Sequence, residues 1–443
     1  MTHNPQTSTL NSLLLKRSLA AVWHPCTQMK QHESLPLIPV ARAAGCWLYD
    51  FDGNRYLDAV SSWWVNLFGH GNTHINAALR DQLDTLEHAM LAGFTHEPVV
   101  ELSERLSKLT GGKLGHCFYG SDGASAIEIA LKMSFHFWRN SGQSDKTNFV
   151  SIKGSYHGET LGALSVTDVA LFKDTYAPLL RASTQVQSPD WRLAEPGESP
   201  RDYALRAARA LEQHLEQHHA ATAALIVEPL VQGATGMAMY HADYLSEART
   251  LCDRYGVHLI ADEIMTGFGR TGTFFAHEQA NITPDFLCLS KGITGGYLPL
   301  SAVMTTDIVY DAFYDDQVTR GFLHSHSYTG NALACRAALA TLDIFDEEQV
   351  VTSNKALSAA ISKTAQDIGS HPRVRNFRNS GMIWAFEVET DNPSFARDFH
   401  QRALSQELLL RPIGNTVYFM PPYVISDEEI ALLTRATLAL LNA

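Results

Sequence analysis

The sequence lacks paired cysteines and long apolar segments. Its six cysteines lie far apart and none forms a CxxC pair, which argues against a disulfide framework or a zinc ribbon. No apolar run approaches the length of a membrane span, and residues 1–11 are polar, without the apolar core of a signal peptide. These absences predict a cytoplasmic protein with reduced cysteines and no membrane partner.

Positive charge is also scarce. The 443 residues include 34 Lys and Arg against 47 Asp and Glu, which gives a net charge of −13. A chain with this balance is a poor partner for nucleic acid or for an anionic membrane surface. Hydrophobic residues make up 45% and charged residues 18%, as in an ordinary globular enzyme, and the length suits two or three domains.

Short apolar segments alternate with helical patterns over residues 75–334, which predicts a large α/β domain built on parallel strands. The sequence pattern of residues 1–74 predicts an N-terminal arm with a short helix near 10–22, followed by a β-meander. Residues 335–443 predict a smaller α+β domain, and the composition of 187–203 is typical of an exposed loop. The predicted strands of the large domain cover 116–119, 148–152, 223–228, 257–261, 286–290 and 301–305.

Three of these predicted strands end in, or are followed directly by, a charged residue: Glu228, Asp262 and Lys291. The carboxyl ends of parallel strands share one edge of a sheet, and ligands bind at that edge. A lysine amine can form a Schiff base with an aldehyde, and an aspartate can keep a pyridine nitrogen protonated. A lone lysine after a strand is more often a surface residue, and an ion pair could explain one of the acids. The three together predict a pyridoxal phosphate site.

Two glycine-containing segments add weaker signals. Gly123 and Ala124 lie where a predicted strand gives way to a helix, whose first N–H groups can bind phosphate. Tyr156 stands beside a glycine motif after another strand, which suits a ring stacked on a flat cofactor. Taken alone, the first pattern is more typical of an ordinary turn, and the second fits a surface turn equally well.

Three further segments leave alternatives open. The histidines and hydroxyl groups of 324–331 fit a phosphate contact better than a metal site, because the cysteines lack ligand spacing, and we predict no metal. Arg411 could clamp a carboxylate or close a salt bridge between domains. The adjacent Trp63 and Trp64 are costly to expose, and they fit the core slightly better than a substrate wall.

The assembled motifs resemble those of the class III aminotransferases, which are fold-type I pyridoxal phosphate enzymes. The most specific run is DEI at 262–264, then GFGRTG at 267–272, then SK at 290–291. The resemblance extends over nearly the whole chain. It implies an α/β fold with a mostly parallel seven-stranded sheet between helices, and a smaller α+β domain formed by both ends of the chain.

The resemblance also implies a role for individual residues. Lys291 would hold the cofactor covalently, Asp262 would pair with its ring nitrogen, and Tyr156 would stack on the ring and act in catalysis. The implied cofactor-binding residues are Gly123, Ala124, Tyr156, His157, Glu228, Asp262, Lys291 and Ser327, the last contributed to the neighbouring subunit of a homodimer. The implied substrate-binding residues are Trp63, Trp64, Tyr156, Lys291, Ser325, Arg411 and Tyr418.

Finer markers, including SSWW at 61–64, resemble a branch of the class that aminates 8-amino-7-oxononanoate in biotin biosynthesis. S-adenosylmethionine is the implied amino donor, with lysine as the alternative. The nearest other candidates are ω-aminotransferases of ornithine, 4-aminobutyrate or polyamines, and the paired tryptophans with Arg411 favour a long apolar keto acid. A non-catalytic regulator would need a DNA-binding module, for which this acidic chain offers no candidate. Cys26 departs from the pattern, because many members have tyrosine there.

Overall fold

A seven-stranded sheet forms the centre of the protein, which a computed structural model describes for residues 10–442. Strand Ser301–Thr305 is antiparallel to both of its neighbours, whereas the other neighbouring strands run parallel. The predicted α/β class and mostly parallel sheet are therefore confirmed. The order across the sheet is His116–Gly120, Ser301–Thr305, Phe286–Leu289, His258–Asp262, Thr222–Val227, Asn148–Ile152 and Thr184–Val186.

The middle strands are buried along their whole length. Every residue of Thr222–Val227, His258–Asp262 and Phe286–Leu289 is buried. Such continuous apolar runs are typical of parallel strands that are covered by helices on both faces. The six strands predicted from the sequence lie within two residues of the observed bounds.

Helices cover the central sheet and extend into the smaller part of the fold. Gly123–Asn140 packs an apolar stripe against strands of the sheet. The α-helical segments are Leu10–Ala21, Thr73–Thr85, Glu97–Leu109, Gly123–Asn140, Leu161–Val166, Ala170–Lys173, Pro200–His218, Asp243–Tyr255, Asp307–Asp311, Ala332–Glu347, Val350–Thr364, Gln366–Gly369, Phe395–Leu404 and Asp427–Asn442. Shorter 3₁₀ turns occupy Met29–Glu33, Asp174–Leu179, Trp191–Leu193, His219–Ala221, Ala276–Ala280, Lys291–Thr294 and Val318–Arg320.

The two ends of the chain meet in a second sheet. The meander Val40–Ala44, Trp47–Asp50 and Arg55–Asp58 is extended by Leu408–Leu409, which pairs in parallel with Arg55–Asp58. This pairing supports the proposal that segments 1–74 and 335–443 contribute to one smaller domain. Further strands are Val374–Ser380, Ile383–Val388 and Thr416–Phe419 in a third sheet, and the pair Val231–Gln232 and Ala238–Met239.

Two of the segments predicted from the sequence lie outside the core. The helix predicted near 10–22 is present as Leu10–Ala21, whereas the first nine residues of the arm lie outside the described residues. The exposed loop predicted at 187–203 is wrong at both ends, because Ser188 and Asp190 are buried and residues 200–203 belong to the helix Pro200–His218, in which Tyr203 is buried. Asp190 accepts hydrogen bonds from Arg192, whose guanidinium also reaches Glu387 at 2.7 Å. This network joins the segment to the third sheet.

Candidate active site

The ends of three adjacent strands form one wall of a cavity of about 300 Å³. Asp262 is the last residue of His258–Asp262, Glu228 follows Thr222–Val227, and Lys291 lies two residues beyond Phe286–Leu289. All three line this cavity, and we call them the strand-end wall. The parallel direction of these strands accounts for the convergence.

Lys291 has its side chain in the cavity and a strained backbone. Its φ of 45° lies in the left-handed region, which is uncommon for a residue with a side chain. Its Nζ lies 4.6 Å from the centroid of the Trp64 ring, and no residue of 10–442 hydrogen-bonds or ion-pairs with it. Desolvation lowers the pKa of Lys291, although Asp262 and Glu228 act in the opposite direction. Burial thus favours the neutral amine, which is the form of lysine that reacts with carbonyl groups.

Asp262 is held by two donors at the base of the cavity. Its Oδ2 lies 2.7 Å from His157 Nδ1, and its Oδ1 accepts the Ile264 N–H at 3.1 Å. The His157 backbone N–H donates to Thr167, which fixes the loop that carries the ring. The other ring nitrogen of His157 is buried without a partner among the described residues. Asp262 is thus a fixed carboxylate in contact with a cavity rather than one half of a closed ion pair.

Glu228 anchors the loop that carries Tyr156. Its carboxylate accepts the backbone N–H groups of Tyr156 and Gly233, each at 2.9 Å. Burial raises the pKa of Glu228 to about 7, an effect that the nearby Asp262 reinforces. The Tyr156 hydroxyl donates to Glu159 at 2.9 Å, and burial followed by the charge of Glu159 raises the pKa of this phenol.

The start of a helix also lines the cavity. Gly123 and Ala124 begin Gly123–Asn140, and they contribute the first N–H groups, which an α-helix leaves without intrahelical partners. Asp122 caps the helix by accepting the Ser125 N–H at 2.9 Å. Gly158, with φ of 124°, lies so close to this turn that a Cβ there would be 2.6 Å from the Ala124 Cβ. Only glycine permits this approach of the two loops.

A left-handed turn contributes Trp64 to the lining of the cavity, and we call residues 61–64 the turn wall. All four residues have positive φ values, from 47° to 75°, although none is glycine. This conformation costs an L-residue about 1–2 kcal/mol, so contacts from outside the turn must hold it. The Ser61 hydroxyl donates to Met420 O at 2.6 Å, and Arg270 donates to the carbonyl oxygens of Trp64 and Asn66.

The turn divides the paired tryptophans. Trp64 is buried, lines the cavity and donates from its indole N–H to the Tyr418 hydroxyl at 3.1 Å. Trp63 is 46% exposed and does not line the cavity. The Arg411 guanidinium lies 5.1 Å from the Trp63 ring centroid. Arg411 is exposed, and no acid of residues 10–442 forms a salt bridge with it, so the predicted domain-closing salt bridge is not found within the described chain.

The segment 324–331 is also separate from the cavity. Ser325 and Ser327 are exposed, and neither lines the cavity in this chain. His326 Nε2 lies 3.3 Å from the Ser121 hydroxyl, which places the segment near the turn before Gly123. Within residues 10–442 no group of three His, Cys, Asp or Glu side chains could hold a metal ion.

Three residues at or near the cavity escaped the sequence reasoning. Glu159 lines the cavity and accepts a hydrogen bond from the Tyr156 hydroxyl. The sequence signal for it was the presence of an acid three positions after that tyrosine. Thr266 lines the cavity with a buried hydroxyl that has no partner among the described residues. Asp58 holds the turn wall from outside the cavity, and no spacing rule in the sequence connects it to a tryptophan six positions later.

Sequence comparison relates this chain to one family of enzymes. The family profile "Aminotransferase class-III" matches residues 28–440. An adenosylmethionine-8-amino-7-oxononanoate aminotransferase of Helicobacter pylori is 49% identical over 93% of this chain and 94% of its own length. A protein of the same name from Geobacter sulfurreducens is 38% identical over 93% of each chain.

Solved structures agree with these sequence matches. The adenosylmethionine-8-amino-7-oxononanoate aminotransferase of Methanocaldococcus jannaschii matches with a TM-score of 0.91 and 34% identity, over 97% of this chain and 98% of its own. An amine transaminase from an uncultivated Pseudomonas species, solved with pyridoxal phosphate bound, matches with a TM-score of 0.90 and 32% identity. That match covers 95% of this chain and 98% of the transaminase.

Proposed function

Because this chain belongs to the class III aminotransferase family, we propose that it aminates 8-amino-7-oxononanoate to 7,8-diaminononanoate in biotin biosynthesis, with S-adenosylmethionine as amino donor. The names and identities of the relatives support this substrate. The structural observation that carries the proposal is the cavity in which Lys291 faces Trp64 without an ion pair and Asp262 stands beside it. Such a cavity combines a reactive amine, a fixed carboxylate and an aromatic wall.

The family relationship identifies the cofactor as pyridoxal phosphate, and the residues present fit it. Gly123 and Ala124 offer helix N–H groups for a phosphate, and Asp262 offers a carboxylate for a protonated ring nitrogen. Buried polar atoms of His157 and Thr266 border the cavity without partners among the described residues. A wholly apolar ligand would leave these polar groups unsatisfied, whereas a phosphorylated heterocycle suits them.

Pyridoxal phosphate, when bound, supplies an electron sink for the carbon that exchanges its amino group. The chain supplies the remaining functions. Lys291 holds the cofactor and, once its amine is free, moves a proton as general base and acid. Asp262, oriented by His157 and the Ile264 N–H, keeps positive charge on the ring nitrogen. The close loops around Gly158 and the buried Trp64 limit water at the reacting carbon.

The keto substrate needs an apolar channel and a carboxylate partner. Trp64 provides an apolar surface next to Lys291, and Tyr418 fixes its indole. Trp63 and Arg411 form a second pair, in which the guanidinium is exposed and no carboxylate of 10–442 ion-pairs with it. A free guanidinium next to an aromatic surface suits a long apolar acid, because it can bind the carboxylate in a bidentate manner.

The fold alone does not select this substrate. A Pseudomonas jessenii ω-transaminase matches with a TM-score of 0.92 at 27% identity, slightly above the 0.91 of the Methanocaldococcus structure. Lysine as donor and other ω-aminotransferase reactions are therefore the alternatives that an experiment must separate. The sequence identity to the named relatives and the position of Arg411 favour the biotin pathway.

The decisive experiment is a donor and acceptor screen with the cofactor-loaded protein. The donor half-reaction is followed by the visible absorbance of the bound cofactor after mixing with S-adenosylmethionine, lysine, ornithine or 4-aminobutyrate. We expect a fast response with S-adenosylmethionine and product formation when 8-amino-7-oxononanoate follows. A response to lysine alone would replace the donor, and a response only to ornithine or 4-aminobutyrate would overturn the proposed pathway.

We also propose a homodimer with active sites at the interface. Ser325 and Ser327 lie on an exposed segment whose Leu323 and Tyr328 are 78% and 63% exposed. A groove of about 580 Å³ runs nearby along Glu97–Leu109. Both features suit burial against a second copy, and the resemblance implies that Ser327 reaches the neighbouring cofactor. Sedimentation should give a dimer, and Ser327→Ala should weaken cofactor binding, whereas an active monomer would contradict this proposal.

The proposed location is the cytoplasm. All six cysteines are unpaired, and four of them are buried, which suits a reducing compartment. None of the helices within residues 10–442 is both long and apolar enough to cross a membrane. Fractionation of cells that produce the protein, with antibody detection, tests this assignment.

A further inference from the structure

Asp58 is a buried acid that the proposed reaction does not use. It ends strand Arg55–Asp58, and its side chain is fully buried. Oδ1 accepts the Ser62 N–H at 2.9 Å, and Oδ2 accepts the Ser62 hydroxyl at 2.7 Å. Oδ2 also lies 3.1 Å from His70 Nε2. Within residues 10–442, the hydrogen bonds of this carboxylate therefore go to Ser62 of the turn wall and to His70.

His70 ties this arrangement to the meander. Its backbone exchanges two hydrogen bonds with Gly45, at 2.9 and 2.7 Å, so its position is set by the turn between the first two strands. The ring then reaches Asp58 from the more exposed side. Asp58 is consequently clamped between a fixed histidine and a strained turn, and neither contact belongs to the central sheet.

The turn wall carries this constraint to the cavity. Ser61 to Trp64 are left-handed, and the N–H groups of Trp64, Val65 and Asn66 donate to Val60 or Ser61 within this segment. At its far end, the Trp64 ring faces the Lys291 amine at 4.6 Å. The same ring packs so closely on Gly233 that a Cβ there would lie 3.2 Å from it. A small rotation of the turn would therefore move the indole relative to the amine.

We infer that Asp58 is a positioning residue, which fixes the left-handed turn through Ser62 and thereby holds the Trp64 ring against Lys291. The inference rests on the proposed aminotransferase function only for its effect on rate. An acid is needed because two oxygens must accept at once, from the Ser62 N–H and from its hydroxyl. An asparagine would retain one acceptor and place an amide donor toward the hydroxyl or the histidine.

The first test needs neither cofactor nor substrate. Amide hydrogen exchange is measured on the cofactor-free protein for wild type, Asp58→Asn, Asp58→Ala and the control Asp52→Asn, an exposed acid of the neighbouring turn. We expect the amides of 62–66 to exchange at least about tenfold faster in Asp58→Ala, with a smaller increase in Asp58→Asn and none in the control. Unchanged exchange at 62–66 in Asp58→Ala would overturn the inference.

The second test separates positioning from general stability. Asp58→Ala, Trp64→Leu and the double variant are compared in single-turnover half-reactions with the same substrates. Asp58→Ala should slow both half-reactions at least about tenfold in the wild-type background, because small misplacements near reacting atoms are costly. In the Trp64→Leu background the further loss should be less than about twofold, because the two substitutions share one interaction.

Equal losses in both backgrounds would mean that Asp58 acts only on folding, and would reject the positioning role. Should Asp58→Ala not fold, Ser62→Ala replaces it, since this variant removes only the hydroxyl bond to Asp58. If the wild-type protein transaminated none of the screened substrates, the proposed function would fail, whereas the exchange measurement would still decide whether Asp58 fixes the turn.

Discussion

The cavity has two walls of different construction. The strand-end wall places Glu228 and Asp262 directly at the ends of two adjacent buried strands, and Lys291 two residues beyond the end of a third. The turn wall consists of four left-handed residues outside any sheet. The first obtains its geometry from a repeating hydrogen-bond pattern, whereas the second depends on individual side-chain contacts from Asp58, Arg270 and Tyr418.

This difference suggests a division of work between the walls. Reaction steps that are common to many enzymes need charged groups at fixed positions, and the edge of a regular sheet provides such positions. Selection of one substrate needs a surface that can change without disturbing the sheet, and irregular segments provide that. We therefore expect substitutions in the strand-end wall to affect both half-reactions, and loss of Arg411, which lies beside the turn wall, to distinguish between substrates.

The largest effect is expected for Lys291→Ala. The substitution removes both the covalent attachment point and the proton carrier, so turnover should fall by at least about 10⁴-fold. Borohydride should no longer fix cofactor to the protein, although phosphate contacts at Gly123 and Ala124 should still allow weak binding. Lys153→Ala is the control, because this exposed lysine lies outside the cavity. Wild-type transamination by the Lys291 variant would show that the strand-end wall does not carry the chemistry.

Asp262→Asn should have the second largest effect. The amide cannot supply the negative charge that a protonated ring nitrogen needs, and charge-assisted hydrogen bonds are about twice as strong as neutral ones. Single-turnover rates should fall by roughly 10²–10³-fold in both half-reactions, as for the loss of a preorganised electrostatic contact. Cofactor affinity, measured by equilibrium dialysis, should change far less. An unchanged single-turnover rate would exclude this role of Asp262.

The two walls also differ in how far the sequence predicts them. The apolar runs that end in Glu228, Asp262 and Lys291 are local signals, and parallel strands bring such ends to one edge by a general rule. Six strands of the central sheet and the short helix near 10–22 were predicted from local patterns in the same way, whereas the total of seven strands was implied only by the family resemblance. The cavity lies where these strand ends converge.

The turn wall could not be predicted in the same way. Left-handed backbone at Ser62 and Trp63 contradicts local preference, and hydrogen bonds to Asp58 and to residues distant in sequence, such as Met420, hold it. Ser327 and Arg411 raise a related difficulty, because both are exposed in a single chain. Their proposed roles depend on a second subunit and on a substrate, neither of which a local pattern describes.

A pH-dependent effect should come from Glu228, and it concerns stability rather than rate. Burial raises its pKa from 4.5 to about 7 in the folded protein, so the folded state binds this proton more tightly than the unfolded state. The stabilisation is complete below the unfolded value and is lost as pH rises through about 7. It amounts to at most about 3 kcal/mol. In the cofactor-free protein, the loss of this stabilisation should lower the thermal unfolding midpoint as the pH rises from 5 to 8.

Glu228→Gln should reduce this pH dependence, whatever its effect on absolute stability. The matched control is Glu216→Gln, an exposed acid that should leave the slope unchanged. The difference between the two variants isolates the buried carboxyl group from the remaining titratable residues. A slope identical in wild type and Glu228→Gln would mean that Glu228 keeps its ordinary pKa despite its burial.

The smallest and most selective effect is expected for Arg411→Ala, beside the turn wall. The exposed guanidinium lies over Trp63 and is free to bind the keto-acid carboxylate, and hydrogen bonds to charged groups contribute about 1.5–3 kcal/mol. The keto-acid half-reaction should therefore lose about 10- to 100-fold in kcat/KM, whereas the donor half-reaction should change little.

Arg402→Ala is the control, since this guanidinium also lies over an aromatic ring, 6.0 Å from Phe399. Arg411→Lys should recover only part of the loss, because an ammonium cannot form the paired hydrogen bonds of a guanidinium. Equal losses in the two half-reactions would show that Arg411 is structural or binds both substrates, and the separation of general chemistry from substrate selection would then not hold for this cavity.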